Sequence, residues 1–246
     1  MKLRASFLVG LGCLSLGSSV AAQELRYAIT TPGGIVATGN TLGLSKEQNA
    51  NGPGLKDSIG TFLALGNSTD DVPANVANPW PGFTTADWKQ NGSAAVLALP
   101  SEVTVLYAEL LWGGSYKYGT EDVTASLSSP VKLEFGNGSL MASPDAATAL
   151  TVDSVAASGF AVKYYLRSAD VTAFVKSSGA GAYSVSGVPA TQETNINSLN
   201  AAGWTLVVAY RDETAPTRNL SVFVGGSFVD EDSQQDYSVS GFCAPP

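Results

Sequence analysis

Along the chain, apolar and polar residues alternate in short runs rather than in helical stripes. The clearest run is residues 103–112. Leu106, Ala108, Leu110 and Trp112 fall on one face, and Val105, Tyr107, Glu109 and Leu111 on the other. The first face is wholly apolar and the second is mixed, as in a strand with one side in a core. Further strands are expected at 25–30, 35–37, 58–65, 94–99, 123–127, 131–135, 160–166, 182–187, 204–210, 219–224 and 237–242. Residues 204–210 form a near-continuous β-rich run suited to a central strand. Turn clusters lie between them at Pro32-Gly33-Gly34, 49–54 and 73–82, and residues 212–218 read as a hairpin loop with Pro216 at the turn. Residues 170–176 read either as one helical turn capped by Asp170 or as another strand.

About a dozen short strands with Gly-rich turns and little helix imply an all-β fold. The expected architecture is a two-sheet β-sandwich, jelly-roll-like, with long Gly/Asn/Pro-rich loops. No Pro/Ser/Gly-rich linker divides the chain, so residues 23–246 read as a single β-sandwich domain.

Residues 1–22 read as a secretory signal. Lys2 and Arg4 supply the positive start, an apolar run from Phe7 to Leu14 follows, and Val20 and Ala22 suit cleavage before Gln23. That apolar run is too short to cross a bilayer, and no other stretch is long and apolar enough for a span. Cys13 lies in the signal and lacks the Leu three residues earlier that lipid attachment favours, since Gly10 stands there. Cys243 is then the one cysteine left after cleavage. It implies an intermolecular disulfide, a free thiol or a missing partner.

The composition narrows the chemistry. The chain of 246 residues contains no histidine, which excludes Ser-His-Asp and Cys-His catalysis and His-ligated metals. Net charge is -8, so a basic nucleic-acid-binding face is not expected. No P-loop, dinucleotide fingerprint or CxxC occurs. Trp112 and Trp204 fall in strand patterns and read as core. Trp80 and Trp88 lie in the polar stretch 67–91, where exposed aromatics could stack on sugar rings or cap one end of the sandwich. Asp230, Asp232 and Asp236 offer oxygens to calcium, without the spacing of an EF-hand. No other cofactor is implied. Glu109 interrupts an apolar strand and is expected to face outward or to pair with an Arg or Lys on a neighbouring strand. Glu109 with Asp122 is the carboxylate pair a glycoside hydrolase would need.

Several segments in order carry a resemblance: Gly39-Asn40-Thr41-Leu42, Tyr107-Ala108-Glu109-Leu110-Leu111-Trp112-Gly113-Gly114, Tyr164-Tyr165-Leu166-Arg167-Ser168-Ala169-Asp170-Val171-Thr172, Gly203-Trp204-Thr205-Leu206-Val207-Val208-Ala209-Tyr210 and Arg218-Asn219-Leu220-Ser221-Val222-Phe223. Together they resemble the N-terminal β-sandwich region of large exported bacterial surface and adhesin-like proteins, including those of myxobacteria. The resemblance implies an exported, non-enzymatic, adhesive or structural role at the cell surface or outside the cell, with surface or matrix components, including glycans, as partners. Similar chains run on past the segment matching Gly241–Pro246, which implies a domain truncated at its C-terminal end and a disulfide partner for Cys243 outside it. The alternatives are a carbohydrate-binding module using Trp80 and Trp88 and, behind it, a secreted glycoside hydrolase.

Overall fold

A computed structural model describes residues 23–45, 59–64, 84–155, 161–192, 200–227, 234 and 236–237. The strands run β1 Glu24–Thr41, β2 Gly43–Ser45, β3 Ile59–Leu63, β4 Thr84–Thr85, β5 Gly92–Leu97, β6 Thr104–Tyr118 and β7 Glu121–Asp122. They continue as β8 Val131–Phe135, β9 Gly138–Ala142, β10 Leu150–Val155, β11 Ala161–Asp170, β12 Gly181–Ser186, β13 Ala202–Arg211 and β14 Thr217–Val224. One short helix, α1 Thr172–Ser178, falls between β11 and β12. The fold is all-β, and every strand pairing is antiparallel.

A seven-stranded sheet has the order β10-β11-β6-β13-β1-β14, with β7 paired to the end of β6. A four-stranded sheet has the order β5-β12-β8-β9, and a small one β2-β3-β4. The main core joins the two larger sheets. Ala108, Leu110 and Trp112 of β6 and Trp204, Leu206 and Val208 of β13 meet Leu97, Val131, Leu133, Tyr183 and Val185 from the four-stranded sheet. Trp112 and Trp204 are register partners, both buried, and the Trp204 indole N–H donates to Ser93 Oγ at 2.9 Å. β1 covers the edge of β5: the Thr38 hydroxyl donates to the Val96 carbonyl at 2.9 Å and the Asn40 amide to the Ala94 carbonyl at 3.0 Å. That satisfies backbone acceptors that an open edge would offer to another chain.

β1 changes partner in mid-course. Residues 24–32 pair with β14 and residues 33–41 with β13. The turn cluster Pro32-Gly33-Gly34, expected to separate two strands, instead lies inside one continuous strand at this change. Ile35 pairs with Ala209, which pairs with Tyr107. Tyr27 is eight residues from Ile35, about 26 Å along a straight strand. Yet the Tyr27 and Tyr107 rings stack with centroids 4.9 Å apart and planes 2° apart. The first half of β1 therefore folds back, with β14, over the face of the sheet opposite the main core. This curls the seven-stranded sheet into a half-barrel, and Gly226, just beyond β14, lies against Leu150 of β10 and Leu166 of β11. A second, smaller core fills the curl: Tyr107, Ala209 and Val222, with Tyr27 and Val207 packed on them.

Other differences from the sequence pattern have local causes. β6 runs on to Tyr118 through Gly113 and Gly114, where a Cβ would lie 2.3 Å from the Tyr165 carbonyl oxygen and 2.4 Å from that of Ala201. The glycines allow close strand contact there and do not end the strand. Residues 123–127 form a 3₁₀ turn, Thr124–Ser126, and no strand. β9 and β10 were not expected, because Gly138–Ala142 and Leu150–Val155 have only weak alternation. Of residues 170–176, Asp170 ends β11 and the helix starts at Thr172: the Asp170 carboxylate accepts the Thr172 N–H at 2.8 Å, and Val175 is buried.

The bend depends on Gly33, which has φ +144° and no room for a side chain, since a Cβ would lie 2.1 Å from the Tyr210 carbonyl oxygen. Gly33→Ala is expected to destabilise the protein by about 2 kcal/mol or more. Gly136→Ala carries only a φ penalty, since nothing lies within 4 Å of its Cβ position. It should cost less when both variants are unfolded in urea.

Candidate functional site

The described residues bring one set of charged groups together in the interior of the half-barrel. In the β1–β14 ladder the register shifts between Leu25 and Tyr27, leaving Arg26 as the extra residue of a bulge. A bulge re-aims its side chain, and here it directs Arg26 onto Glu109 at the centre of the sheet. Glu109 is fully buried. Arg26 Nε stands 3.3 Å from each of its carboxylate oxygens. The Tyr107 hydroxyl donates to Glu109 Oε2. Oε1 accepts no well-aligned hydrogen bond and is compensated by the Arg26 charge alone. Arg26 Nη2 reaches on to Asp145 Oδ2 at 2.8 Å. Asp145 also accepts the Ala147 N–H at 2.9 Å, at the start of the 3₁₀ turn Ala146–Thr148. Its own N–H donates to the Ser168 carbonyl on β11 at 2.8 Å.

The electrostatics follow from this geometry. Burial opposes the Arg26 charge, but the Coulombic attraction of Glu109, and hydrogen bonds to Glu109 and Asp145, outweigh it and hold Arg26 protonated. Burial, then the hydrogen bond to Glu109, pushes the Tyr107 phenol far above its usual range, so it remains a donor. Asp145 is held below the ordinary carboxylate range, first by the Ala147 N–H and then, against some desolvation, by Arg26. The cluster thus ties β1 to β6 and to the β9–β10 connection. Chemically it is a closed ion pair, with the Glu109 carboxylate shielded from solvent.

Glu109 does pair with an arginine, as expected, though from a folded-over strand and facing inward. Asp122 is not near it. Asp122 pairs in register with Lys117, eight residues and about 26 Å along β6 from Glu109. Its carboxylate is exposed, bonded to Lys117 Nζ at 2.7 Å, and held well below its usual range by Lys117 and Thr124. Trp88 begins a 3₁₀ turn, Trp88–Gln90, whose Asp87 cap accepts the Lys89 N–H at 2.9 Å. Its ring is half-buried against the main core, with the Lys89 ammonium 5.9 Å from the ring centroid. Asp236 is exposed, and its carboxylate accepts the Gln234 amide at 2.9 Å. Trp80, Asp230, Asp232, Cys13, Cys243, the signal segment 1–22 and most of the strand expected at 237–242 lie outside the described residues. Among the described residues no group of three or more His, Cys, Asp or Glu converges to hold a metal, and no helix is long and apolar enough to cross a membrane.

Pattern reading did not single out two further features. A buried polar network joins Ser115, Thr191 and Asn200: the Thr191 hydroxyl lies 2.7 Å from Ser115 Oγ and 2.9 Å from Asn200 Oδ1. Two shallow grooves of about 550 and 540 Å³ flank Lys176, one lined by Leu140, Asp170 and Phe174, the other by Leu99, Glu102 and Thr104. Among the described residues Glu102 is the one non-glycine at positive φ, 62°. Arg26 carried no signal in the sequence; only Glu109, a charge in an apolar strand, marked the cluster.

Fold and site define an all-β protein of antiparallel sheets, one curled around a buried ion cluster. Comparison with known protein families, curated proteins and solved structures found no match to this chain.

Arg26→Ala leaves a buried carboxylate without its counter-ion and is expected to cost about 3–5 kcal/mol. Glu109→Gln, which removes the charge and keeps the shape, should cost less in the same denaturant titrations. Because the Asp145 pKa is depressed in the fold, its contribution is full above the ordinary carboxylate range, near pH 4, and is lost as pH falls through its own lower value. The stability gap between wild type and Asp145→Asn, about 1 kcal/mol or less after solvent screening, should therefore narrow between pH 6 and pH 2.

Proposed function

We propose that this chain is an exported bacterial β-sandwich protein with a non-enzymatic adhesive or structural role at the cell surface or outside the cell. The observation that carries this reading is the use of Glu109. The carboxylate best marked by the sequence for chemistry is sealed from solvent and anchors the first strand. The other carboxylate of the hydrolase alternative stands about 26 Å away along β6. The strand positions are compatible with export: β1 starts at Glu24, so cleavage before Gln23 would leave all of its pairing intact. In this reading the seven- and four-stranded sheets are the two layers of a jelly-roll-like sandwich. Surface or matrix components, including glycans, are the partners, and Cys243 takes a disulfide partner from outside the chain.

The test is expression of residues 1–246 in a bacterial host, with fractionation and intact-mass measurement. The expected species begins at Gln23 and lies outside the cytoplasm. A cytoplasmic species that retains residues 1–22 would overturn export. Trp88 separates this reading from the carbohydrate-binding alternative. Its ring packs on the core, so Trp88→Ala should cost about 1–3 kcal/mol of stability and leave retention on a glycan array unchanged. Loss of glycan retention at unchanged stability would favour the binding module.

A further inference from the structure

We infer that residues 24–32 of β1, together with β14, form a strap that opens from the half-barrel as one unit, with the Arg26 ion pairs as its latch. Three observations carry this. First, the two faces of the seven-stranded sheet are packed unequally. One face holds the main core shared with the four-stranded sheet; the other holds a small cluster of Tyr107, Ala209 and Val222, with Tyr27 and Val207 against it. Opening the strap bares Tyr107, Val207 and Ala209 and leaves the main core untouched.

Second, both strands of the strap join the rest of the sheet at the same end. β1 leaves it between Pro32 and Gly33, and β14 follows β13 through residues 212–216. The Asp212 N–H donates to the Pro32 carbonyl at 3.2 Å, and the Arg218 guanidinium to the Gly33 carbonyl at 3.0 Å, so the two hinges sit side by side. At the other end Glu24 pairs with Val224. Once off the sheet the strap is an isolated two-stranded ribbon, which is marginally stable in water, so its ladder from Glu24 to Pro32 exchanges as it opens.

Third, among the described residues the polar hold on the strap is concentrated near the end away from the hinges. Arg26 is two residues beyond Glu24 and is the strap's ion-pair link to Glu109 on β6 and to Asp145 before β10. Cooperative units of this kind open below the free energy of global unfolding when few apolar contacts hold them.

Hydrogen exchange followed by mass spectrometry on the full chain tests the inference. Peptides covering 24–32 and 217–224 should exchange at one common rate, about tenfold or more faster than β6 and β13. Arg26→Ala should accelerate both strap strands further, and the milder Asp145→Asn, which keeps Arg26 on Glu109, should do so by a smaller factor. In both variants β5, β8 and β12, which exchange on global unfolding, should quicken by no more than the stability lost in the titrations and stay about tenfold or more slower than the strap. A graded loss of protection from Glu24 inward would show simple fraying and would overturn the unit. A single rate shared by the strap strands and β5, β8 and β12, or no acceleration of the strap in either variant, would overturn the latch.

Discussion

A carboxylate at the centre of a β-sheet has to be compensated, and this requirement organises the half-barrel. Glu109 has no access to water, so its charge requires a cation and hydrogen-bond donors supplied by the fold. Tyr107 supplies one donor from the same strand face. The cation, Arg26, lies 83 residues earlier in the chain. It reaches the sheet centre only because β1 changes partner at Pro32–Gly33, folds back, and carries a bulge that turns Arg26 inward. The bend, the bulge, the stacked tyrosines and the curl of the sheet are consistent with one another, and removing any of them would leave a buried charge poorly compensated.

The same strand solves a second problem with its other half. Residues 33–41 lie between β13 and the edge of β5, where Thr38 and Asn40 cap backbone carbonyls of the four-stranded sheet. β1 thus links both larger sheets and both cores. Its pairings with β13 and β14 span most of the chain, so the half-barrel cannot close until the last described strand is available. Loop closure of this range is slow and entropically costly. The tight packing at Gly39, Gly113 and Gly114, where a Cβ would meet a neighbouring carbonyl within 2.2–2.4 Å, shows how closely the strands approach once it has closed.

Much of the fold was legible because strand formation leaves a local imprint. The alternation separated the main-core face from the Tyr107–Glu109 face over 107–112, while a bulge that skips Leu106 puts Val105 in the main core instead; β8 appeared with its observed ends, Val131–Phe135. Trp112 and Trp204 were readable as core because both sit in β-rich runs. The misreadings also have local origins. Pro32-Gly33-Gly34 looks like a turn when its segment is read alone, and the apolar run stops at Gly113, yet these glycines serve close approach and a bend within strands. Val123–Leu127 has strand-like composition, but Asp122 accepts the Thr124 N–H at 3.0 Å and starts a 3₁₀ turn. Of the site, Glu109 was visible as an anomaly. Its partner was not, because nothing in residues 23–30 distinguishes Arg26 from a solvated surface charge.

The sequence by itself determined the all-β class, the positions of the stronger strands, and which of their faces are apolar, because those properties depend on side-chain alternation over a few residues. It also set the absence of histidine chemistry and the single anomalous charge in β6. The tertiary structure decided which strands are neighbours, where β1 exchanges one partner for another, and which cation compensates Glu109. Backbone hydrogen bonds are alike for every strand, so pairing is chosen by packing among residues far apart in the chain. The same packing brings Arg26, Tyr107, Glu109 and Asp145 into one cluster.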